Sequence, residues 1–400
     1  MNANPKAHRT PGMLLLLLGL VFLAGTAVLL ILLWVGERSR DGVSFQAFSL
    51  QVAGIGGLGL TLCLLSSLLG WRFWTGRPLG PFWVRHPWAL LFLFLALLPL
   101  GTVLALWETA PAFLLPALHV LTLLTLHALV LIALGTFLGN RAGSWQDVLG
   151  GLLGGASLGA GAAILLEVGI ALALGAFFVL TGQVPQEWLR GSIPSLQGPE
   201  DAMALVQAIP PLLVLTGIVF LTLLAPLVEE MTKTLAVGLV GPWLRPDPAR
   251  AFLLGAASGA GFALAENFLN SGFFGLLWGG GILARLAATV MHTATGALMG
   301  WGWGQWWTER KYLRLPLAFA GAFGIHALWN GTVGVLLGTA YFLVRSGAAG
   351  PEISPTLLLS ALIGLSLMFL ALFFQVFVFL AVSAGLLIAA RSLRRHSGER

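Results

Sequence analysis

Long apolar runs dominate this chain of 400 residues, and several of them exceed the roughly 20 residues that an α-helix needs to cross a bilayer. Hydrophobic residues make up 58% of the sequence and charged residues only 9%, whereas a soluble domain carries about 25% charged residues. The sequence therefore predicts an all-α fold, a polytopic bundle of transmembrane helices that lies in a lipid bilayer.

Hydropathy divides the chain into about ten predicted spans. Their approximate bounds are residues 13–35, 49–70, 87–107, 112–139, 148–182, 205–241, 250–270, 282–307, 315–343 and 356–390. We interpret the first run as a retained helix, because it is too long for the apolar core of a signal peptide.

The stretch 205–241 is long enough for two short helices, with Pro210, Pro211 and Pro226 as possible breaks. Splitting it would place every later basic loop outside the cell, so we predict one long, kinked helix that crosses once. The kink at Pro226 is expected to free a backbone carbonyl near Thr222.

Most of the positive charge lies in alternate loops and in the tail, and the loop at 183–203 is net acidic. The cations in question are Lys6, Arg9, Arg72, Arg77, Arg85, Arg245, Arg250, Arg310, Lys311, Arg314 and those of the tail 391–400. This pattern predicts that both termini are cytoplasmic and that the 183–203 loop is extracytoplasmic. The net charge of +6 therefore reflects membrane topology and does not indicate a nucleic-acid partner.

Two adjacent glutamates, Glu229 and Glu230, lie inside one of these apolar runs. An ionisable side chain in hydrocarbon costs several kcal/mol, and neighbouring carboxylates repel each other, so the pair indicates a functional site. Lys233 can reach either glutamate, since it lies three residues after one and four after the other. The structural alternative is a salt-bridge lock with Lys233 or Arg285.

Further polar side chains occupy the middle of later spans. They are Glu266 and Asn267, Arg285 and His292, and His326 and Asn330. The last pair is spaced i,i+4 and shares one helix face. Arg285 is expected either to anchor the outer interface or to pair with Glu266. His119 and His127 in the fourth span are expected to pack or to hydrogen-bond between helices.

Depth in the bilayer supports a common site. At about 1.5 Å per residue, Glu229 lies roughly 18 Å, and His326 about 16 Å, from the cytoplasmic ends of their helices. His292 lies about 15 Å from the outer end of its own helix, near the middle of a core about 30 Å thick. Glu266 comes out higher, at roughly 24 Å from the cytoplasmic side.

Carboxylates, imidazoles and an amide at one depth suit hydrolysis. A buried carboxylate near histidines can activate a water, and Asn330 could donate to an oxyanion. The same set suits a zinc ion, with Glu229, His292 and His326 as ligands and Glu266 as a further candidate. Zinc chemistry and a metal-free glutamate and histidine mechanism both remain open at this point.

Four motifs in this order resemble the PrsW family of intramembrane proteases, relatives of the CAAX-prenyl-protease and bacteriocin-processing membrane enzymes. They are Glu229-Glu230-x-x-Lys233, Phe262-x-x-x-Glu266-Asn267, His292-x-x-x-Gly296 and His326-x-x-x-Asn330, and the resemblance covers about residues 205–343. The resemblance implies cleavage of a membrane protein, typically a single-pass regulator such as an anti-sigma factor, in a bacterial inner membrane.

The resemblance also implies roles. Glu229 would activate water, and His292 and His326 would position it or bind metal. Asn330 would stabilise the oxyanion, and Glu230 and Lys233 would form a supporting pair; Glu266, Asn267 and Arg285 are further supporting candidates.

We predict three segments along the chain. Residues 1–203 hold about five N-terminal helices with the extracytoplasmic loop at 183–203, residues 204–345 form the catalytic helix bundle, and residues 346–400 hold the C-terminal helix and a basic tail. The alternative function is a proton- or cation-coupled transporter that uses the buried glutamates and histidines as a relay.

Overall fold

The computed structural model describes residues 6–37, 45–107, 111, 113–184, 206–274, 277–347 and 355–395. Within these ranges, ten helical segments are long and apolar enough to cross a membrane, and none of the described residues belongs to a β-strand. The prediction of an all-α polytopic bundle with about ten spans is confirmed. The predicted orientation of the termini remains a prediction.

Thirteen α-helices lie wholly within the described part of the chain. They are α1 (Lys6–Glu37), α2 (Phe45–Thr75), α3 (Pro87–Leu106), α4 (Leu114–Leu138), α5 (Trp145–Gly154), α6 (Ala160–Leu180), α7 (Pro211–Val219), α8 (Ala225–Thr232), α9 (Leu235–Leu244), α10 (Pro248–Leu269), α11 (Trp278–Thr308), α12 (Arg314–Gly347) and α13 (Pro355–Arg395). Five-residue π-helical segments join α5 to α6 (Gly155–Gly159) and α7 to α8 (Phe220–Leu224).

The sixth span runs from Pro211 to Leu244 and contains α7, α8 and α9, which matches the prediction of one span. Its irregularities lie at two places. The helix widens into a π-helix immediately before Pro226, and it breaks at a turn formed by Lys233 and Thr234. The second break was not predicted, because no proline or glycine marks it.

The chain divides into two compact units. The first comprises Met1–Gly161, Glu230–Ala322 and Val382–Arg400, and the second comprises Ala162–Glu229 and Phe323–Ala381. The boundary passes between the two adjacent glutamates. The three segments predicted along the chain are a division by sequence and remain a prediction.

In the first unit, α10 is the central helix, and almost all of its side chains are buried. Glycines allow its backbone to lie directly against α11, because a Cβ atom at Gly259 would overlap the carbonyl oxygen of His292. A Cβ atom at Gly255 would likewise overlap the carbonyl oxygen of Gly296. Small residues are what close helix packing in lipid requires. The contact fixes α10 and α11 relative to each other.

The N-terminal helices also hold α10 in the first unit. Arg250 near its start makes a two-point ion pair with Asp147 of α5, at 2.6 Å and 3.1 Å. At its other end, the Gln51 amide of α2 donates to the carbonyl of Leu269 at 3.0 Å. Both ends of the helix are therefore bound to helices that precede it in the chain.

In the second unit, the C-terminal half of α12 packs on α7 and the π-helical segment after it. Gly334 lies against the side chain of Thr222, and Gly338 lies against that of Ile218. Near the end of α12, the Tyr341 hydroxyl donates to the carbonyl of Ile209 at 2.9 Å. These contacts align α12 with the helix that leads to Glu229.

Candidate active site

Glu230 and Lys233 form an ion pair with no exposed surface on either side chain. The Lys233 ammonium also donates to the Thr295 hydroxyl at 3.2 Å and lies 5.2 Å from the centre of the Phe262 ring. A buried charge is tolerated only when it is paired and hydrogen-bonded. Of the two glutamates, Glu230 is therefore the charge partner of Lys233.

The helix break after α8 determines where this lysine lies. The Lys233 carbonyl has lost its helical donor, and the Ser258 hydroxyl donates to it at 2.7 Å. The Trp303 indole donates to the Thr234 hydroxyl at 3.2 Å. Gly159 lies beside the Lys233 carbonyl and leaves no room for a side chain without adjustment. Helices α10 and α11 thus hold the turn from two sides.

His292 is oriented by Glu266, which is oriented in turn by Arg285. The Nε2 atom of His292 lies 2.9 Å from one carboxylate oxygen of Glu266, and the Arg285 guanidinium donates to the other oxygen at 2.7 Å. A carboxylate can only accept, so its position favours a proton on Nε2, which in a neutral ring leaves the lone pair on Nδ1. A carboxylate behind a histidine is the usual arrangement at metal-binding and catalytic imidazoles. Of the two alternatives for Arg285, the structure shows pairing with Glu266.

Asn267, the neighbour of Glu266, makes different contacts. Its amide donates to the Thr289 hydroxyl at 3.0 Å and lies 3.3 Å from Nε2 of His127. The His127 Nδ1–H donates to the carbonyl of Leu123 at 2.7 Å, which leaves Nε2 as the acceptor in a neutral ring. His127 therefore hydrogen-bonds between helices, as predicted, and ties α4 to α10.

The other predicted histidine contact of α4 lies near the turn that follows α10. The Trp278 indole donates to Nδ1 of His119 at 3.1 Å, so His119 Nε2 carries the proton and donates to the Ser271 hydroxyl at 2.8 Å. In this tautomer His119 cannot accept a proton from Ser271. The pair is a structural hydrogen bond and not a nucleophilic dyad.

In the second unit, Glu229 and His326 lie side by side. The nearest carboxylate oxygen of Glu229 is 3.8 Å from Nε2 of His326, and the histidine is buried. This distance is too long for a hydrogen bond and short enough for both atoms to contact one water or one ion. The second unit thus holds one carboxylate and one imidazole that can act on the same water or ion.

Asn330 lies one turn after His326 on α12, as the spacing predicted. Its amide nitrogen donates to the backbone carbonyl of Leu221 at 3.0 Å, inside the π-helical segment. One of its two N–H groups is therefore used within the protein.

Each unit thus groups part of the predicted set. The first groups Glu230 with Lys233, and Glu266 with His292 and Arg285, while the second places Glu229 beside His326. Contacts that the sequence analysis missed are those of Thr295, Thr289 and Ser258, which are hydroxyl groups on α10 and α11. A signal for two of them existed, because both threonines lie on α11 at three-residue steps from His292.

A family model described as "PrsW family intramembrane metalloprotease" matches residues 143–349, just over half of the chain. The match begins well before the predicted 205–343, since it takes in the fifth span, Trp145–Leu180. No curated protein and no solved structure matches the chain.

Proposed function

We propose that this chain, which belongs to the PrsW family of intramembrane metalloproteases, hydrolyses a peptide bond of a membrane-protein substrate with a water activated by Glu229. The chain is an integral membrane protein and a membrane protease. The family match therefore favours the protease over the transporter alternative. The substrate class, the mechanism and the residue roles that follow are our proposal.

The observation that carries the proposal is the pairing of each histidine with a carboxylate. Glu229 lies 3.8 Å from His326, and Glu266 lies 2.9 Å from His292. An oriented imidazole and a nearby carboxylate are the groups that general acid–base chemistry requires. The buried ion pair of Glu230 with Lys233 supports a charge-balancing role for Glu230 and, with it, Glu229 as the base.

Water and the scissile peptide bond are the only reactants in the proposed reaction. The Glu229 carboxylate takes one proton from water, and the resulting hydroxide attacks the carbonyl carbon of the scissile bond. The C–N bond then breaks, and the proton passes from Glu229 to the leaving nitrogen, which gives a new carboxyl terminus and a new amine. His292 and His326 orient the water.

That these groups act on one substrate bond is inferred from the sequence. Glu229 and Glu230 are consecutive residues, and Glu229, His292 and His326 come out at one depth when counted along their spans at about 1.5 Å per residue. The family match also includes all four motifs. Depth and adjacency together support a common site.

The residues present fit the metal that the family description implies. Nε2 of His292 lies 2.9 Å from Glu266, so Nδ1 is the ring atom that we assign to a metal. A metal ion would be held by His292, His326 and Glu229, with Glu266 orienting His292 from behind. When bound, such an ion supplies Lewis-acid polarisation of the carbonyl and a more acidic water. In a metal-free site, the same carboxylate and imidazoles act on the water alone.

The proposed setting is a bacterial inner membrane, with both termini in the cytoplasm and a signalling role. The proposed substrate is a single-pass membrane protein, such as an anti-sigma-factor-like regulator. This follows the resemblance of the motifs to their family and the positive-inside charge pattern.

Co-expression with a panel of tagged single-pass membrane proteins tests the proposal. We expect the wild-type chain to cleave at least one of them, and Glu229→Gln and His326→Ala to abolish cleavage at unchanged expression. The matched control is His119→Gln, which changes a buried histidine outside the proposed site. Full cleavage by both site variants would contradict the assignment of Glu229 and His326 to the active site.

Elemental analysis of the active, purified protein decides between the two forms of the mechanism. A zinc content near one ion per chain that falls in His292→Ala and His326→Ala supports the metal form. Full activity in protein that contains no metal removes it.

A further inference from the structure

Asn330 makes a contact that an oxyanion donor does not need. Its amide donates at 3.0 Å to the carbonyl of Leu221, which lies in the sixth span eight residues before Glu229. The residues on both sides of this hydrogen bond belong to the second unit. The Leu221 carbonyl is available to a side-chain donor because of the local helix geometry.

The Leu221 carbonyl has no backbone donor in either helical register. In an α-helix its donor would be the N–H of Ala225, but that group donates to the Phe220 carbonyl, one residue earlier. In the π-helical register its donor would be residue 226, five positions on, which is a proline without an N–H. The wide turn and Pro226 together leave one partly buried carbonyl to be satisfied by a side chain.

A kink at Pro226 in a regular α-helix predicts a freed carbonyl near Thr222, one residue later. That expectation assumed an α-helix up to Pro226, in which the missing N–H belongs to the carbonyl four residues before it. The π-helical segment Phe220–Leu224 moves the orphaned carbonyl to Leu221. Pro226 thus frees a carbonyl as expected, one residue earlier in the chain.

We propose that Asn330 is a positioning residue that caps the Leu221 carbonyl and thereby sets Glu229 against His326. Asn330 lies one turn from His326 on α12, and Leu221 lies about two turns, or roughly 12 Å, before Glu229 on the other helix. The hydrogen bond is thus a cross-link between the helix that carries the base and the helix that carries the imidazole. It fixes the register of the two helices, whose Glu229 and His326 side chains lie 3.8 Å apart. This role is distinct from the expected one at the oxyanion.

Packing around the cross-link supports this role. Gly334, one turn after Asn330, lies against Thr222, and the Thr222 hydroxyl donates back to the carbonyl of Ile218 at 2.8 Å. The π-helical segment is therefore bound to α12 by a polar contact at Asn330 and by close packing at Gly334. A displacement of about 1 Å between catalytic groups can lower a rate about a hundredfold, so the cross-link matters for the reaction.

The inference rests on the proposed function, and rescue by a second substitution tests it. Asn330→Leu keeps the side-chain volume and removes the donor, so we expect cleavage to fall about ten- to hundredfold. Pro226→Ala restores a backbone N–H that can bond to the Leu221 carbonyl, so the double variant should recover most of the activity. Pro226→Ala alone should cleave at close to the wild-type rate.

The matched control is Pro211→Ala on the Asn330→Leu background. Pro211 is the first residue of α7, where a missing N–H costs nothing, so this substitution should restore no activity. A double variant of Pro226 and Asn330 that stays as inactive as Asn330→Leu would overturn the capping role and favour the oxyanion. Wild-type activity of Asn330→Leu would overturn both.

Thermal unfolding separates this inference from the proposed function. Capping predicts that Asn330→Leu lowers the melting temperature and that Pro226→Ala restores it, even in a chain that cleaves nothing. A melting temperature unchanged in Asn330→Leu contradicts the cap. If Asn330→Leu yields no folded protein, the same comparison is made with Asn330→Ala, and recovery of folded yield in its double variant is the result that capping requires.

Discussion

Removal of one member of the Glu230–Lys233 pair should destabilise the protein strongly. In Glu230→Gln the Lys233 ammonium loses its anionic partner and keeps neutral contacts, namely the introduced amide oxygen, the Thr295 hydroxyl at 3.2 Å and the Phe262 ring at 5.2 Å. Breaking a buried ion pair from one side costs about 3–5 kcal/mol, and these neutral contacts place the expected cost at about 3 kcal/mol. A chain of this size should then melt roughly 4 °C lower.

Removal of both charges should be far less costly. In Glu230→Gln/Lys233→Met no ion is left in the interior, so we expect most of the lost stability to return and a coupling free energy of about 2 kcal/mol. The assay is the fraction of detergent-solubilised protein that stays monodisperse after heating, measured by size-exclusion chromatography. This expectation is refuted if the double variant loses as much stability as Glu230→Gln and Lys233→Met together.

The same double variant assigns the base. If Glu230 only balances charge, the stable double variant should still cleave its substrate at a substantial fraction of the wild-type rate. A double variant that is stable but inactive would show that the pair does more than balance charge.

Three further predictions concern the support of the site. Glu266→Ala should lower kcat about ten- to hundredfold with little change in KM, because His292 loses the group that orients it; single-turnover cleavage measures this. Gly259→Ala should abolish folded yield, since its Cβ would overlap the His292 carbonyl oxygen, whereas Gly280→Ala, which faces open space, should be neutral. Cysteines placed in the 183–203 loop should react with membrane-impermeant reagents in intact cells.

Each of these predictions has an outcome that contradicts it. A change confined to KM in Glu266→Ala would place Glu266 at the substrate and not behind His292. Equal yields of the two glycine variants would refute the close approach of α10 and α11. Labelling of the loop only after cell lysis would reverse the predicted orientation.

The spans, and the ionisable residues inside them, were predictable because lipid imposes strict constraints. Helices must be about 20 residues long and apolar, and any ionisable group among them stands out. Glu229, Glu230 and His326 are conspicuous for this reason alone. The i,i+3 spacing also predicted that Lys233 could reach Glu230, although it could not decide between the two glutamates.

The partners of these residues were not predictable from spacing. Glu266 was placed higher than His292 by depth, yet the two touch, because long side chains reach along the helix axis and α10 lies against α11 without intervening side chains. The hydrogen bond from Asn330 to the Leu221 carbonyl depends on a π-helical register, which no residue type in the sequence predicts. The break at Lys233 depends on the Ser258 hydroxyl from another helix, which replaces a lost backbone donor.

Isotope incorporation by the purified protein tests the central claim most directly. The wild-type chain, reconstituted in lipid vesicles with a cleaved single-pass substrate in H₂¹⁸O, should release a fragment whose new carboxyl terminus carries one ¹⁸O atom by mass spectrometry. Glu229→Gln at equal folded yield should release no such fragment. Release of the same labelled fragment by Glu229→Gln at the wild-type rate would contradict the claim that Glu229 activates the water.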